Sequence, residues 1–274
     1  MKPTGAAEQL MFTTVRLATK TGCGTGYFFT FDVGGVTVPV IITNKHVVND
    51  NPNEEVTFLL HLSDDGETVD GNFQVTLATY WVFHPTKDIC YTYVADVFRE
   101  VQKISRKKVF YRAISEGMIY SKEQLKDLSM IESVVMIGYP NGLWDELHNF
   151  PIFRYGKTAA HPGYDFNEEN IGLVDMACFP GSSGSPIFIL NEGSVRNKNG
   201  SLSIGESRLI FLGTLFAGPV MTAEGMIGVR NIPTSAQLYS STNIMLNLGY
   251  YIKSYELEVF RKNIESALLK STQK

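Results

Sequence analysis

Two groups of short β-patterned segments, one on each side of a single helical connector, constrain this chain more than any other feature. The first group covers 12–18, 26–33, 36–43, 55–62, 73–83, 89–94 and 109–114, runs rich in Val, Ile, Thr, Phe and Tyr. Such residues suit a pleated, half-buried surface. Asp32-Val33-Gly34-Gly35 reads as a hairpin turn between two of these runs. The second group covers 133–139, 150–158, 171–178, 186–190, 208–217 and 244–252. Between the groups, Ser121-Lys122-Glu123-Gln124 has capping-box spacing and predicts a short helix over about 122–128. The Asn-, Gly- and Ser-rich stretch 191–207 predicts a long exposed excursion. After Ser254, Leu257, Phe260, Ile264, Ala267 and Leu268 fall on one helical face. The expected architecture is therefore all-β, two six-stranded barrels side by side with a C-terminal helix. Its parts are an N-terminal barrel over about 10–115, a connector over 116–131, a second barrel over 132–253 and a helix over 254–271.

The chain is long enough to bury a sizeable core, with 274 residues, 44% apolar and 19% charged. Its net charge of −4 gives no basic surplus, so nucleic acid is not an expected partner. The one basic cluster, Arg106-Lys107-Lys108, reads as a solvated turn or strand end. No apolar run reaches bilayer length, so no membrane partner is expected. Residues 1–9 lack the apolar core of a signal peptide. Cys23, Cys90 and Cys178 are odd in number and widely spaced, which suits a reducing compartment. Together these features predict a cytoplasmic location, in which the sequon at Asn199 is inert.

Chemistry concentrates in Pro180-Gly181-Ser182-Ser183-Gly184-Ser185-Pro186, set between two apolar segments. Glycines beside a serine permit a sharp turn and close approach of a substrate carbonyl to the backbone. The same turn can aim the Gly181 and Ser183 amides at one point, as an oxyanion hole requires. An isolated run of this kind is as readily an ordinary turn. A serine hydroxyl is a weak nucleophile without an adjacent base. Of the five histidines, His46 stands just past the apolar run Val40-Ile41-Ile42-Thr43, where a strand hands a side chain to the surface. His61 lies inside a strand, His84 and His161 precede prolines, and His148 sits in a polar loop. None has a partner at metal-ligand spacing, and neither a metal nor a cofactor is expected. An imidazole base needs a carboxylate to fix its tautomer. Asp88 lies directly ahead of an alternating strand, whereas its rival Asp96 falls beyond that strand in a more solvated setting. On its own, Asp88 would read as a turn aspartate.

The order His46, Asp88, Ser183, with these flanks, resembles the chymotrypsin-like (trypsin-like) serine peptidases. The closer resemblance is to their HtrA/Deg branch. Thr43-Asn44-Lys45-His46-Val47-Val48 is similar to its histidine motif, and Asp88-Ile89-Cys90 to its aspartate motif. Ile137-Gly138-Tyr139-Pro140-Asn141-Gly142-Leu143 looks like its Gly-x-Pro-x-Gly strand and loop. Leu248-Gly249-Tyr250-Tyr251-Ile252-Lys253-Ser254 looks like the run entering its last helix, and Gly22 to Phe29 like the opening of its first barrel. The resemblance covers roughly residues 10–265. It implies two antiparallel barrels with a catalytic triad in the cleft between them, and a protein or peptide substrate. Two departures stand at the nucleophile: Ser182 where Asp or Asn is usual, and Ser185 where a second Gly is usual. With Ser182 there is no carboxylate to pair with a freshly cut amino terminus, so the pancreatic-type activation switch is not expected. Nor is a PDZ domain expected after the helix.

The resemblance also puts the floor of the primary specificity pocket at Ala177, with no acid to attract Lys or Arg. A small or apolar residue before the scissile bond is expected. Gly213-Thr214-Leu215-Phe216-Ala217 resembles the strand that pairs with substrate backbone. Thr214, Leu215 and Phe216 are its candidate contacts, although Phe216 reads equally as a core aromatic. The expected activity is that of a serine endopeptidase with His46, Asp88 and Ser183 as its triad. Two other readings stay open. One is a catalytically silent protease-fold module that binds extended peptides by strand addition. The other is a peptidase held latent until a ligand or a separately encoded regulatory protein orders its oxyanion loop. Oligomeric state is not legible in the sequence.

Overall fold

The computed structural model describes residues 1–227 and 238–272. After a short helix α1 (Ala6–Leu10), the first unit is built from β1 (Thr14–Ala18), β2 (Cys23–Val33), β3 (Val36–Thr43), β4 (Glu55–Ser63) and β5 (Gly71–Ala78). It continues with β6 (Val82–Phe83), β7 (Cys90–Tyr93), the helix α2 (Ala95–Ser105), β8 (Lys108–Phe110) and β9 (Ile114–Ser115). Its strands form one barrel-like sheet in the order β5-β4-β1-β2-β3-β7-β6, with β8 added on β4 and β9 on β2. The connector carries α3 (Lys122–Lys126), whose Ser121 cap receives the Gln124 amide while the Gln124 side chain returns to the cap.

The second unit is a closed six-stranded barrel. Its members are β10 (Ser133–Gly138), β11 (Ile152–Thr158), β12 (Ile171–Asp175) and β13 (Pro186–Asn191). Two hairpins and the remaining barrel strands follow: β14 (Ser194–Arg196), β15 (Leu202–Ile204), β16 (Arg208–Ala217), β17 (Val220–Ile227), β18 (Leu238–Met245) and β19 (Leu248–Lys253). The barrel closes in the order β10-β11-β12-β19-β16-β13. The last element is α4 (Glu258–Thr272), entered through a single 3₁₀ turn, Ser254–Leu257.

The fold class expected from the sequence is the fold class observed. The first sheet, however, holds nine strands where six were expected. Part of the reason is Trp81, which is fully buried, donates its backbone N–H to Pro52 O (2.7 Å) and its indole N–H to Glu54 O (3.0 Å). That anchor pulls the chain out of the ladder and divides the run 73–83 into β5 and β6. The run 109–114 divides in the same way, into β8 and β9. Helix α2 was not anticipated, although Val94, Phe98 and Val101 recur at helical spacing; its cap position, Val94, makes no side-chain cap bond. The hairpin β14–β15 lies within the excursion expected at 191–207, and the strand expected over 244–252 divides between β18 and β19.

Of three apolar clusters among the described residues, one in each unit and one shared, the shared one joins the two units. Tyr27, Phe29, Phe31 and Ile42 from the first sheet meet Ile137, Phe188 and Phe211 from the second barrel. Helix α4 contributes Phe260 and Ile264, both almost wholly buried, and so seals the first unit rather than projecting from the molecule. Tyr91 of β7 tilts onto Phe260 at 4.8 Å. Burial of two such side chains stabilises the arrangement by roughly 4 kcal/mol.

His61 in β4 shows what this core does to a titratable group. It is 6% exposed and sits edge-on to Phe12 at 4.9 Å. Burial pushes its imidazole down from 6.5 to about 4, against weaker opposing bonds at Asn72 and Asn149. The unfolded chain therefore binds a proton near pH 6.5 that the folded chain refuses until about pH 4. Stability is expected to fall across that window by about 3 kcal/mol, and to be insensitive to this group above it. Urea unfolding of the wild type and of His61→Gln between pH 7 and pH 4 checks this. The variant's profile should be flatter, and parallel profiles would refute the assignment.

Candidate active site

The nucleophile loop is a turn held at both ends. Ser182 N–H donates to Phe179 O (3.0 Å), closing a four-residue turn with Pro180 and Gly181 at its centre. Gly181 has φ +84°, as a type II turn demands of its third residue. A Cβ there would also lie 2.6 Å from Tyr139 O. Pro180 O accepts from Asn141 N–H at 2.5 Å. In a planar trans peptide the carbonyl and the following N–H point in opposite directions. The Gly181 N–H is thus turned away from the Asn141 loop.

Thr25 of β2 fixes the other side of the loop. Its N–H donates to Ser183 O (2.9 Å) and its hydroxyl to Gly181 O (3.1 Å), while it receives the Ser185 hydroxyl (3.1 Å). Thr43 Oγ1 donates to Thr25 O (2.7 Å), so β3 secures β2 at the point of contact. Gly184, at φ +84°, passes so close that a Cβ would lie 1.9 Å from Thr25 O. Only glycine fits that approach. The loop's amides divide cleanly. Ser182, Gly184 and Ser185 donate to Phe179, Leu215 and Ser182 carbonyls, whereas those of Gly181 and Ser183 face no acceptor among the described residues.

His46 follows β3 in a 3₁₀ turn whose next residues, Val47 and Val48, are buried and anchor it. Its Nδ1 lies 2.6 Å from Asp88 Oδ2. Asp88 Oδ1 accepts from Lys45 N–H (2.8 Å) and His46 N–H (3.3 Å), and Asp88 O accepts from the Asn44 amide (2.6 Å). Burial pushes the Asp88 carboxyl up, but the bond to His46, its charge and the two backbone amides outweigh this and hold it below the ordinary value. An ionised Asp88 keeps the imidazole proton on Nδ1 and leaves the Nε2 lone pair free. Asp96, by contrast, is exposed in the first turn of α2 and pairs with Arg99.

His46, Gly181 and Ser183 line one cleft of about 300 Å³, together with Pro180, Thr21 and Cys23. Ser183 is half-buried, and its Oγ makes no hydrogen bond among the described residues. The expected specificity residues are less open. Thr214 is buried with its hydroxyl 2.8 Å from Tyr27 OH, and Leu215 is buried beside Cys178. Phe216 is half-buried and tilts onto Tyr250 at 6.3 Å. Ala177 is half-buried, two residues past the end of β12. Cys178 Sγ and Leu215 Cδ1 crowd Gly249, where a Cβ would meet them at 2.5 and 2.7 Å. Burial pushes the Cys178 thiol up to about 11.

Sequence reasoning missed Thr25 and Asn141 as holders of the loop and Cys23 as a cleft wall. Their spacing from Ser183 along the chain carries no signal that local patterning can detect. Two other histidines stand apart: His148 pairs with Asp145 at the surface, and His161 Nδ1 receives the Gly163 amide. Among the described residues no three His, Cys, Asp or Glu side chains cluster as a metal site would need. Nor, among them, is any helix long and apolar enough to cross a membrane.

A family model described as "Trypsin-like peptidase domain" matches residues 24–196. No curated protein matches the chain significantly. Among solved structures, a serine-to-alanine mutant of Rv3671c from M. tuberculosis H37Rv, in its inactive form, is 14% identical. That likeness covers 96% of this chain and 88% of the other, with a TM-score of 0.41. The Rv3671c protease, also in an inactive form, is 16% identical over 94% of each chain, with a TM-score of 0.43. The scabies mite inactivated protease paralogue S-I1 is 11% identical over 96% of this chain and 98% of its own, with a TM-score of 0.45.

Proposed function

The chain belongs to the trypsin-like peptidase domain family, and from that premise we propose that it is an active serine endopeptidase with a His46-Asp88-Ser183 triad. Ser183 Oγ attacks the scissile carbonyl as His46 Nε2 takes its proton. Asp88 stays ionised and stabilises the imidazolium that forms. The tetrahedral oxyanion receives the Gly181 and Ser183 N–H groups. Collapse of that intermediate returns the proton from His46 to the leaving amine and leaves an acyl ester on Ser183. Water, deprotonated by the same imidazole, then hydrolyses the ester.

The observation that carries this reading is the division of the loop's amides. The two without an acceptor belong to Gly181 and Ser183, in one cleft with a histidine held by a carboxylate. The Pro180–Asn141 bond supports an oxyanion loop that needs no partner to turn it, and so a chain active in isolation. The neutral Ala177, where the family resemblance puts the pocket floor, supports a preference for small or apolar residues before the scissile bond. The motifs around His46, Asp88 and Tyr139 favour the HtrA/Deg branch within the family. Three free thiols are compatible with action in the cytoplasm, and residues 1–274 act as one peptidase domain.

A fluorophosphonate probe tests the reading, because it phosphonylates only a serine activated by base and oxyanion hole. Peptide mapping of the labelled wild type should place the adduct on Ser183. A well-folded protein that takes no label would instead be a silent peptide-binding module of the same fold, and label on another serine would remove Ser183 as the nucleophile.

A further inference from the structure

The turn that presents Asp88 is wound around a second imidazole. His84 directly follows β6 and is 2% exposed. Its N–H donates to Ile89 O (2.9 Å), closing a loop over 84–89. Inside that loop, His84 Nδ1 accepts both Thr86 N–H (3.2 Å) and Lys87 N–H (3.0 Å). A ring nitrogen that accepts two backbone amides carries no proton, so the ring proton sits on Nε2. Nε2 in turn lies 3.2 Å from Glu256 Oε2, an electrostatic contact without hydrogen-bond geometry, in the turn that leads into α4. The other Glu256 oxygen receives the Asn170 amide at 2.6 Å. Phe260 of α4 stands edge-on to the ring at 5.8 Å. Burial and the nearby Lys45 and Lys87 favour the neutral ring, against the pull of Glu256.

Asp88 is the next residue after the two-amide cradle. Its carboxylate therefore inherits its direction from the bonds that His84 makes, and those bonds are anchored through Glu256 and Phe260 to the C-terminal helix. We infer that His84 is a positioning residue for the triad: its Nδ1 shapes the turn that sets Asp88 against His46 Nδ1, and its Nε2 ties that turn to the entry of α4. His84 does not touch substrate and transfers no proton. The inference rests on the triad proposed above.

The test compares His84→Leu, which fills the ring's space without an acceptor, with His84→Asn, whose Oδ1 is bonded to Cγ as Nδ1 is in histidine. His84→Leu is expected to lower kcat by on the order of 10²-fold, the scale of a misplacement of about 1 Å at a reacting geometry, with little change in KM. His84→Asn should recover most of the loss, because asparagine oxygen accepts amides from residues two and three ahead. Proton NMR supplies a readout independent of turnover. The low-field signal of the His46 Nδ1–H bonded to Asp88 should persist in wild type and His84→Asn and vanish in His84→Leu, all in a Ser183→Ala background. Retention of both kcat and that signal in His84→Leu would overturn the inference, as would equal losses in the two variants. A wild type that takes no fluorophosphonate label would defeat the triad, yet the signal would still report whether His84 positions Asp88. Should His84→Leu fail to fold, Glu256→Gln provides the second arm. Its loss of the carboxylate charge should shift the low-field signal, and an unmoved signal there would count against the link to α4.

Discussion

Replacing Ser183 by alanine is expected to lower turnover by about 10⁵–10⁶-fold while leaving peptide affinity nearly unchanged. Removal of the nucleophile from a working triad costs about as much as removal of the whole unit, because base and acid have nothing left to activate. What remains is the catalysis that binding and the oxyanion hole provide alone. Stability should hardly move. The Ser183 hydroxyl makes no hydrogen bond among the described residues, so its loss strands no buried partner. A change within about 0.5 kcal/mol is expected, as for substitutions away from packed or bonded features. Single-turnover cleavage of a denatured protein substrate, read beside a thermal melt, separates the two effects. Residual turnover within a hundredfold of wild type would remove Ser183 from the mechanism.

Asp88→Asn is expected to lower turnover by about 10⁴-fold with the backbone intact. The amide oxygen can still accept from the Lys45 and His46 N–H groups that Oδ1 now receives. The amide nitrogen, however, presents hydrogens where Oδ2 now faces His46 Nδ1. Two donors cannot share that 2.6 Å gap, so the imidazole adopts the other tautomer and its proton moves to Nε2. The lone pair that should take the Ser183 proton is then gone. In the wild type, the lowered Asp88 pKa keeps the carboxylate ionised at neutral pH. A kcat/KM profile from pH 6 to pH 10 for both proteins checks this. Near-equal plateaus would mean that Asp88 is only a turn residue.

The sequence carried the outline of this fold because outline depends on local pattern. Alternating apolar runs mark strands wherever one face is buried, and the face of Leu257, Phe260 and Ile264 marks α4 in the same way. The candidate nucleophile was legible because glycine is required on both sides of it, at two positive φ angles and two close backbone approaches. His46 and Asp88 were legible as residues at the edge of apolar strands. What stayed hidden depends on distant parts of the chain meeting. Thr25 and Asn141 hold the nucleophile loop from more than 150 and about 40 residues away along the chain. The indole of Trp81 breaks a strand by bonding to Glu54, and no period in 73–83 announces it. Helix α2 escaped for the opposite reason: its signal is local, but its valine cap offers none of the usual markers of a helix start.

The fastening of α4 to the first unit has a consequence for the order in which the molecule becomes itself during synthesis. His46 and Asp88 leave the ribosome early, in the unit that bears them. Ser183 follows nearly a hundred residues later on the second barrel. Phe260 and Ile264, which fill the remaining gap in the first unit's core, come after both. A growing chain thus carries His46 and Asp88 long before Ser183, and holds Ser183 before Phe260 and Ile264 complete the core shared by the two units.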